Sequence, residues 1–373
     1  AIGVKQAMAE AGVTLPLMIS GTVQPMGTML AGQGVDALYA SVEHLGLFSI
    51  GLNCATGPEF MTDHLRTLSD VATCFVTVYP NAGLPDEHGH YEETAESLAL
   101  KMRRFVDESW VNVIGGCCGT TPDHTRALAR LVEGRAPRRP PSERAPAVSG
   151  VEAVYPSEDV RPIIVGERTN VIGSRRFKEL VVEEKFEEAS EIGRAQVRGG
   201  AQVLDVCLAN PDRDEASDVD RFMDFITRKV KAPLMIDSTD AHVLELALRK
   251  CQGKAIINSI NLEDGEERFE RVVPLLHTYG GAVVVGCIDE DKQQGMAVTR
   301  QRKLAIAERS HALLTGKYGL PERDLIFDPL VFPVGTGDAN YIGSAVETIE
   351  GVRAIKARFP HCKTILGISN VSF

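Results

Sequence analysis

The sequence predicts an α/β protein built as two successive arrays of parallel strands and helices, the second with the winding of a (β/α)8 barrel that lacks its last unit. Three observations predict it. Short apolar runs alternate with segments of helical pattern along the 373 residues, which is the arrangement of parallel strands covered on both faces. One stretch rich in Pro, Arg and Ser, from Glu133 to about Pro162, interrupts the alternation and reads as a surface connection. Beyond it, seven strand-like runs recur with a single rhythm, and eight is the number that closes a barrel.

In the first array the expected strands are "LPLMISG" (15–21), "LFSIGLNC" (47–54), "TCFVTVYP" (73–80) and "VNVIGGCC" (111–118). Each is separated from the next by a segment long enough for a helix. The strap follows, and its arginine-rich centre "GRAPRRPPSER" (134–144) reads as a solvated linker. The second array offers strands at "RPIIVGE" (161–167), "AQVLDVC" (201–207), "APLMIDS" (232–238), "KAIINSI" (254–260), "GAVVVGCID" (281–289), "DLIFDP" (324–329) and "TILGISN" (364–370). Helices such as "EEKFEEASEIGRAQVRGG" lie between them, with acidic residues leading and Gly199 and Gly200 closing the end.

Composition excludes several classes of function. A net charge of −11 without a basic cluster argues against nucleic acid as the main partner. No stretch approaches the roughly 18 apolar residues needed to span a bilayer, and the first residues lack the pattern of a secretory signal. The chain is therefore expected in the cytoplasm. Eight cysteines are too sparse for a disulfide scaffold in a chain of this length. Cys74, Cys207, Cys251, Cys287 and Cys362 sit in or beside apolar segments, and each reads as a small buried hydrophobe.

The polar residues at the strand ends carry the functional reading. Glu167, Asp205, Asp237, Asn258, Asp328 and Asn370 each fall at the C-terminal end of a different expected strand, the rim on which barrels build their active sites. A single Asp after a strand serves as a helix cap or a turn former. Six polar residues at equivalent positions would be costly to desolvate without a polar ligand. In the first array, Cys54 stands at the same rim as Cys117 and Cys118, two βα units earlier. Consecutive strand residues point to opposite faces, so the adjacent pair converges only where the backbone leaves the extended conformation, and Gly115, Gly116 and Gly119 permit that. Three thiols on one rim suit zinc, which favours thiolates and in catalytic sites keeps one of four positions open. The alternative is a buried Cys54 and an incidental pair.

The motifs "GLNCATGP", "YPNAGLP" and "GGCCGTTPDH" resemble the homocysteine-binding barrel of the cobalamin-dependent methionine synthase family, and "VGERTNVIGS", "MIDS", "NSI", "FDP" and "GISNVSF" resemble the methyltetrahydrofolate-binding barrel that follows it. The resemblance covers nearly the whole chain, in the family's domain order. It implies two (β/α)8 TIM-type barrels in tandem, the first represented by its C-terminal half and the second lacking its last unit. The implied division is residues 1–135 for homocysteine and zinc, 136–160 for a proline-rich linker, and 161–373 for the pterin. On this resemblance the sequence is an excerpt of a longer polypeptide.

The same resemblance implies methyl transfer from 5-methyltetrahydrofolate by way of cobalamin to zinc-activated homocysteine, giving methionine and tetrahydrofolate. Cys54, Cys117 and Cys118 would hold the zinc, with the homocysteine thiol in the open position. Glu167, Asn170, Asp205, Asp237, Asn258, Asp328 and Asn370 would form the pterin pocket, with Asn370 serving N5 of the folate as the catalytic group. The sequence shows no "DxHxxG"-like cobalamin motif, so cobalamin is expected on another domain of the full-length enzyme or on a partner, and neither nucleic acid nor membrane is an expected partner. Two other readings stand beside this one: a dihydropteroate synthase-like enzyme condensing a pterin, in which the "GGCC" half has no place, and a non-catalytic pair of zinc- or folate-binding modules.

Overall fold

The structure, a computed structural model, describes residues 1–372 and divides into two compact units, Ala1–Ala153 and the residues from Val154 onward. In the first unit a helix α1 (Ile2–Glu10) precedes strand β1 (Met18–Gly21). Helix α2 (Val35–Val42), β2 (Ser49–Asn53), α3 (Pro58–Val71), β3 (Phe75–Tyr79), α4 (Ala95–Asp107), β4 (Val113–Ile114) and α5 (Pro122–Val132) then alternate. The four strands pair in parallel in chain order, with Met18 opposite Ser49, Ile50 opposite Val76 and Thr77 opposite Val113. Ile50, Leu52, Val76 and Val78 are enclosed in the sheet. Met61, Leu65 and Leu68 on α3, and Leu98, Met102 and Phe105 on α4, cover it from positions one helical turn apart.

Strands β5 (Val148–Ser149) and β6 (Ala153–Val154) form a small two-stranded sheet, which the sequence reading did not contain. The second unit holds β7 (Val165–Gly166), α6 (Arg175–Val182), α7 (Phe186–Arg198), β8 (Val203–Val206), α8 (Glu215–Lys229), β9 (Leu234–Asp237) and α9 (Ala241–Lys250). It continues with β10 (Ile256–Leu262), α10 (Glu267–Tyr279), β11 (Ala282–Asp289), α11 (Arg300–Ala312), β12 (Leu325–Asp328), α12 (Ser344–Arg358) and β13 (Lys363–Thr364). All seven strands are parallel and lie in chain order from β7 at one edge to β13 at the other. Right-handed crossovers between strands in chain order put every helix on one side, so such a sheet curls as barrels do instead of reversing at a switch point.

The ends of the second array differ from expectation. Strand β13 spans two residues, and the expected strand to Asn370 instead leaves the ladder after Ile365 N–H reaches Phe327 O at 2.9 Å. Local bonds, Ile368 N–H to Leu366 O and Asn370 N–H to Gly367 O, turn residues Ile368–Ser372 into a 3-10 helix. Phe373, the last residue of the "GISNVSF" motif, lies outside the described residues. At the other edge β7 is shortened because Pro162 offers no N–H to a ladder, and Ile164 N–H goes to the Gln202 side chain.

The solvated reading of the arginine-rich strap is corrected. Arg138 is only 4 % exposed and Arg144 only 8 %. The Arg138 guanidinium donates to Ser69 O at 2.7 Å, to Cys74 O at 2.9 Å and to Ala72 O, the carbonyls at and just beyond the end of α3. Orphan carbonyls at the negative end of a helix are a natural seat for a cation. Arg144 pairs with Glu43 and lies 4.8 Å from the centre of the Tyr39 ring. The five cysteines read as small hydrophobes are buried or partly buried, and burial pushes the thiols of Cys207, Cys251, Cys287 and Cys362 up to about 12. Among the described residues no helix is long and apolar enough to cross a membrane.

Candidate functional site

In the first unit the sheet delivers three thiols to one point. Strand β2 ends at Asn53, and the next two residues, Cys54 and Ala55, both adopt left-handed backbone conformations with φ of 62° and 56°. Non-glycine residues hold such conformations only when their surroundings over-determine them. Here Cys54 N–H is fixed on Tyr79 O at 2.9 Å, and Thr56 N–H returns to Cys54 O at 2.6 Å. Strand β4 ends at Ile114, after which Cys117 N–H bonds to Pro80 O at 2.8 Å and Cys118 N–H to Asn81 Oδ1 at 3.1 Å. Thr120 closes the turn with its N–H and hydroxyl both on Cys117 O. Gly119 completes it at φ 78°, where a Cβ would lie 2.3 Å from the Tyr91 ring.

This turn is how two consecutive residues aim at one target. Cys54 Sγ lies 3.5 Å from Cys118 Sγ, Cys117 Sγ lies 3.9 Å from Cys118 Sγ, and all three sulfurs fall within 4.8 Å of one another. Zinc–sulfur bonds of about 2.3 Å in a tetrahedron give sulfur–sulfur edges of about 3.8 Å, so the two measured separations bracket a zinc thiolate set. The Ala55 N–H holds the Cys54 thiol below its ordinary value, helped by the neighbouring thiols. Burial, and then the other two sulfurs, push Cys117 up to about 11. The surroundings thus favour the thiolate at Cys54 and oppose it at Cys117, a conflict that a bound cation removes.

Asn81 was not singled out from the sequence, although it sits inside "YPNAGLP". Its place directly after the expected strand that ends at Pro80 is the signal that marks it, and the structure buries it there. His124, by contrast, is accounted for within the fold: it caps α5 at Thr121 and reaches Glu93 O at 2.9 Å.

In the second unit the strands bring carboxylates and amides together, Asp237 and Asp328 at strand ends and Asp205 within β8, while Asn258, expected at a strand end, lies within β10, which runs on to Leu262. Asp205 on β8 is 3 % exposed and accepts from Asn170 Nδ2 at 2.9 Å and Asn258 Nδ2 at 3.5 Å. Asn170 is itself fixed, its Oδ1 accepting from the N–H groups of Ile172 and Gly173. Asp237 ends β9 and faces Asn258 across the register of β10. Burial pushes Asp205 up to about 7, with the Asp237 charge adding and the two amide bonds opposing. Burial also raises Asp237 to about 6, with Glu215 and Glu167 adding and Arg268 opposing. Arg268 is held beside it by Ser238 O at 2.6 Å, Ser259 O at 3.3 Å and Thr239 O.

Five of the expected residues, Glu167, Asn170, Asp205, Asp237 and Asn258, therefore form one group through hydrogen bonds or charge. Asp328 ends β12, where its Oδ1 accepts from Leu330 N–H at 2.9 Å, and burial raises its carboxyl against that bond and the charge of Lys303. Asn370 stands apart, exposed on its 3-10 turn. Glu215 and Arg268, missed in the sequence, start α8 and α10 and carried no strand-end signature.

Comparison with known proteins matches each unit separately. The family model described as homocysteine S-methyltransferase matches residues 1–132, and the one described as pterin binding enzyme matches residues 166–373. Methionine synthase of Mycobacterium tuberculosis (strain ATCC 25618 / H37Rv) is 39% identical over 380 residues, and that of Mycobacterium leprae (strain TN) 38% over 387. Both alignments cover 100% of this chain and 32% of the relative, so the chain spans about a third of the curated proteins it matches. Among solved structures, a Xanthomonas albilineans dihydropteroate synthase is 18% identical with a TM-score of 0.44, covering 60% of this chain and 77% of that one.

Proposed function

Because the chain belongs to the pterin binding enzyme family, whose model matches more than half of it, we propose that it is the substrate-binding part of a methyltransferase that moves a methyl group from 5-methyltetrahydrofolate, by way of cobalamin, to homocysteine. The observation that supports this reading is the presence on one chain of two different sites: three convergent thiols in one unit and a buried Asp and Asn group in the other. A dihydropteroate synthase-like enzyme would use the second and leave the first idle. In this reading both units are TIM-type barrels, with homocysteine handled within residues 1–135 and the pterin within 161–373, in the cytoplasm.

Cys54, Cys117 and Cys118 would hold zinc, which when bound supplies a positive centre that lowers the pKa of a substrate thiol. The chain's own part is to present three sulfurs whose positions the end of β3 has already fixed, leaving one direction open for homocysteine. In the second unit Asp205 and Asp237 offer acceptors, and Asn170 and Asn258 donors and acceptors, to the ring nitrogens and amino group of a pterin. The methyl on N5 leaves only if that nitrogen gains a proton or a strong hydrogen bond as its bond to carbon breaks. Asn370 is assigned that role at N5, where a bond that strengthens in the transition state accelerates the chemistry. Cobalamin is held outside these residues.

X-ray absorption of the zinc-replete protein is expected to show one zinc with three sulfur ligands, and a fourth sulfur once homocysteine is added. Cys117→Ser should lose homocysteine methylation while keeping methyl transfer from methyltetrahydrofolate to free cobalamin. A metal-free protein after zinc-replete purification, or four protein sulfurs before homocysteine is added, would overturn the assignment.

A further inference from the structure

Lys303 on α11 has no exposed surface. Its ammonium donates to Ala297 O at 2.8 Å, to Leu330 O at 3.2 Å and to Pro329 O, and lies 5.0 Å from the centre of the Phe332 ring. Gly351 on α12 makes room for it, since a Cβ there would come within 2.7 Å of Lys303 Cδ. A buried ammonium is expensive to desolvate, and methionine or leucine would fill the same space without that cost. The acceptors therefore point to what the charge is for. All three lie beyond the ends of β11 and β12, and two of them belong to the residues that directly follow Asp328.

The turn after Asp328 is not one that its sequence favours. Leu330 stands at φ 64°, a left-handed conformation that disfavours a side chain of its size. Only in this turn does Leu330 N–H point back to Asp328 Oδ1 at 2.9 Å, while Leu330 O collects the Lys303 ammonium and the Thr348 hydroxyl at 2.9 Å. Leu330 N–H shares its peptide plane with Pro329 O, so the ammonium on Pro329 O holds the plane that aims the N–H, and the two donors on Leu330 O hold the plane that follows.

We propose that Lys303 is a positioning residue of the pterin pocket: by gathering the carbonyls of Pro329 and Leu330 it holds the left-handed turn, and through that turn it sets the orientation of the Asp328 carboxylate. Leu330 N–H occupies Oδ1, which leaves Oδ2 as the acceptor offered to a pterin N–H. The inference rests on the pterin reading of the second unit and adds to it a residue that touches no ligand.

Binding of 5-methyltetrahydrofolate to the wild-type protein, Lys303→Met, Asp328→Asn and the double variant tests it, with thermal unfolding followed in parallel. Lys303→Met should weaken binding about tenfold in the wild-type background and less than about twofold when Asp328 is already Asn, the coupling expected within one hydrogen-bonded network. Equal weakening in both backgrounds would overturn the inference, because a lysine that only supports the fold acts without regard to Asp328. Thr348→Val removes the second donor on Leu330 O, and it serves if Lys303→Met does not fold. Its smaller loss should also vanish in the Asp328→Asn background, and a loss that persists there overturns the inference too. A wild-type protein that fails to bind methyltetrahydrofolate would overturn the pterin reading, and this inference with it.

Discussion

Asp237 and Asn370 show how differently two residues of one proposed pocket can be held. Asp237 closes a strand among buried carboxylates, with a raised pKa and Arg268 beside it. Asn370 is exposed on a turn and tied locally, through its backbone, to Gly367. Contacts to the edge of a bound ring act alike on ground and transition states, whereas a bond to N5 matters most as the methyl leaves. Asp237→Ala should therefore weaken methyltetrahydrofolate binding by about 1 to 3 kcal/mol, the cost of leaving ligand donors unpaired. Asn370→Ala should leave binding nearly unchanged and slow single-turnover methyl transfer to free cobalamin on the order of a hundredfold, as loss of one transition-state donor does elsewhere. If both variants lose binding alone, with the chemical step untouched, Asn370 only positions the ring. The strand-end acids and the cysteines were legible in the sequence because such side chains are costly to place at a rim without a ligand. Lys303, Arg268 and Glu215 were not, because they reach the same rim from helices whose own patterns look ordinary.

At the scale of an element, the strap shows why composition alone misled. Proline and arginine without apolar periodicity describe an exposed connection, but guanidinium groups can be buried when helix-end carbonyls accept them. Arg138 takes the carbonyls at the end of α3, and Asn112 ties its position to the sheet by donating to Arg138 O at 2.7 Å and accepting from Val76 N–H at 3.0 Å. Arg138→Ala should cost about 2 to 4 kcal/mol in urea unfolding, since several buried carbonyls lose a charged partner together. Trypsin should spare the native chain at Arg138 and Arg144, which are buried, and at Arg139, which precedes Pro140. It should cut at the exposed Arg135. Early cleavage after Arg144 would show that the strap is not packed as described.

At the scale of the whole molecule, raised carboxyl pKa values in the second unit oppose stability near neutrality. An unfolded Asp loses its proton near 3.9, but Asp205 holds its own to about 7 and Asp237 to about 6 in the folded chain. Between about pH 4 and pH 7 the folded state binds more protons, so stability falls as pH rises across that window. Acids lowered by partners, such as Glu347 at about 2 beside Arg300, are ionised in both states above pH 5 and add no slope there. The urea midpoint should drop between pH 5 and pH 7.5, and Asp205→Asn should flatten the drop; a midpoint that is level, or that climbs, would contradict the burial of these groups. The parallel, chain-order winding was legible because apolar runs and helical segments alternate so regularly. The exact ends of β7 and β13 were not, since proline and local turn bonds compete there with the ladder.

The two thiol-bearing turns are hydrogen-bonded to the end of β3 and not to each other's helices, with Tyr79 O holding Cys54, and Pro80 O and the Asn81 side chain holding the adjacent pair. Cys54 and Cys118 are 64 positions apart along the chain, yet their separation in space is measured across strand spacings that do not change. Residues inserted into or deleted from the outer surfaces of α3 and α4 would leave the triangle of sulfurs as it is. A thiol cluster anchored in this way has no characteristic spacing between its first cysteine and the adjacent pair. Descendants of this sequence can drift in length between their cysteines while the site itself stays in register.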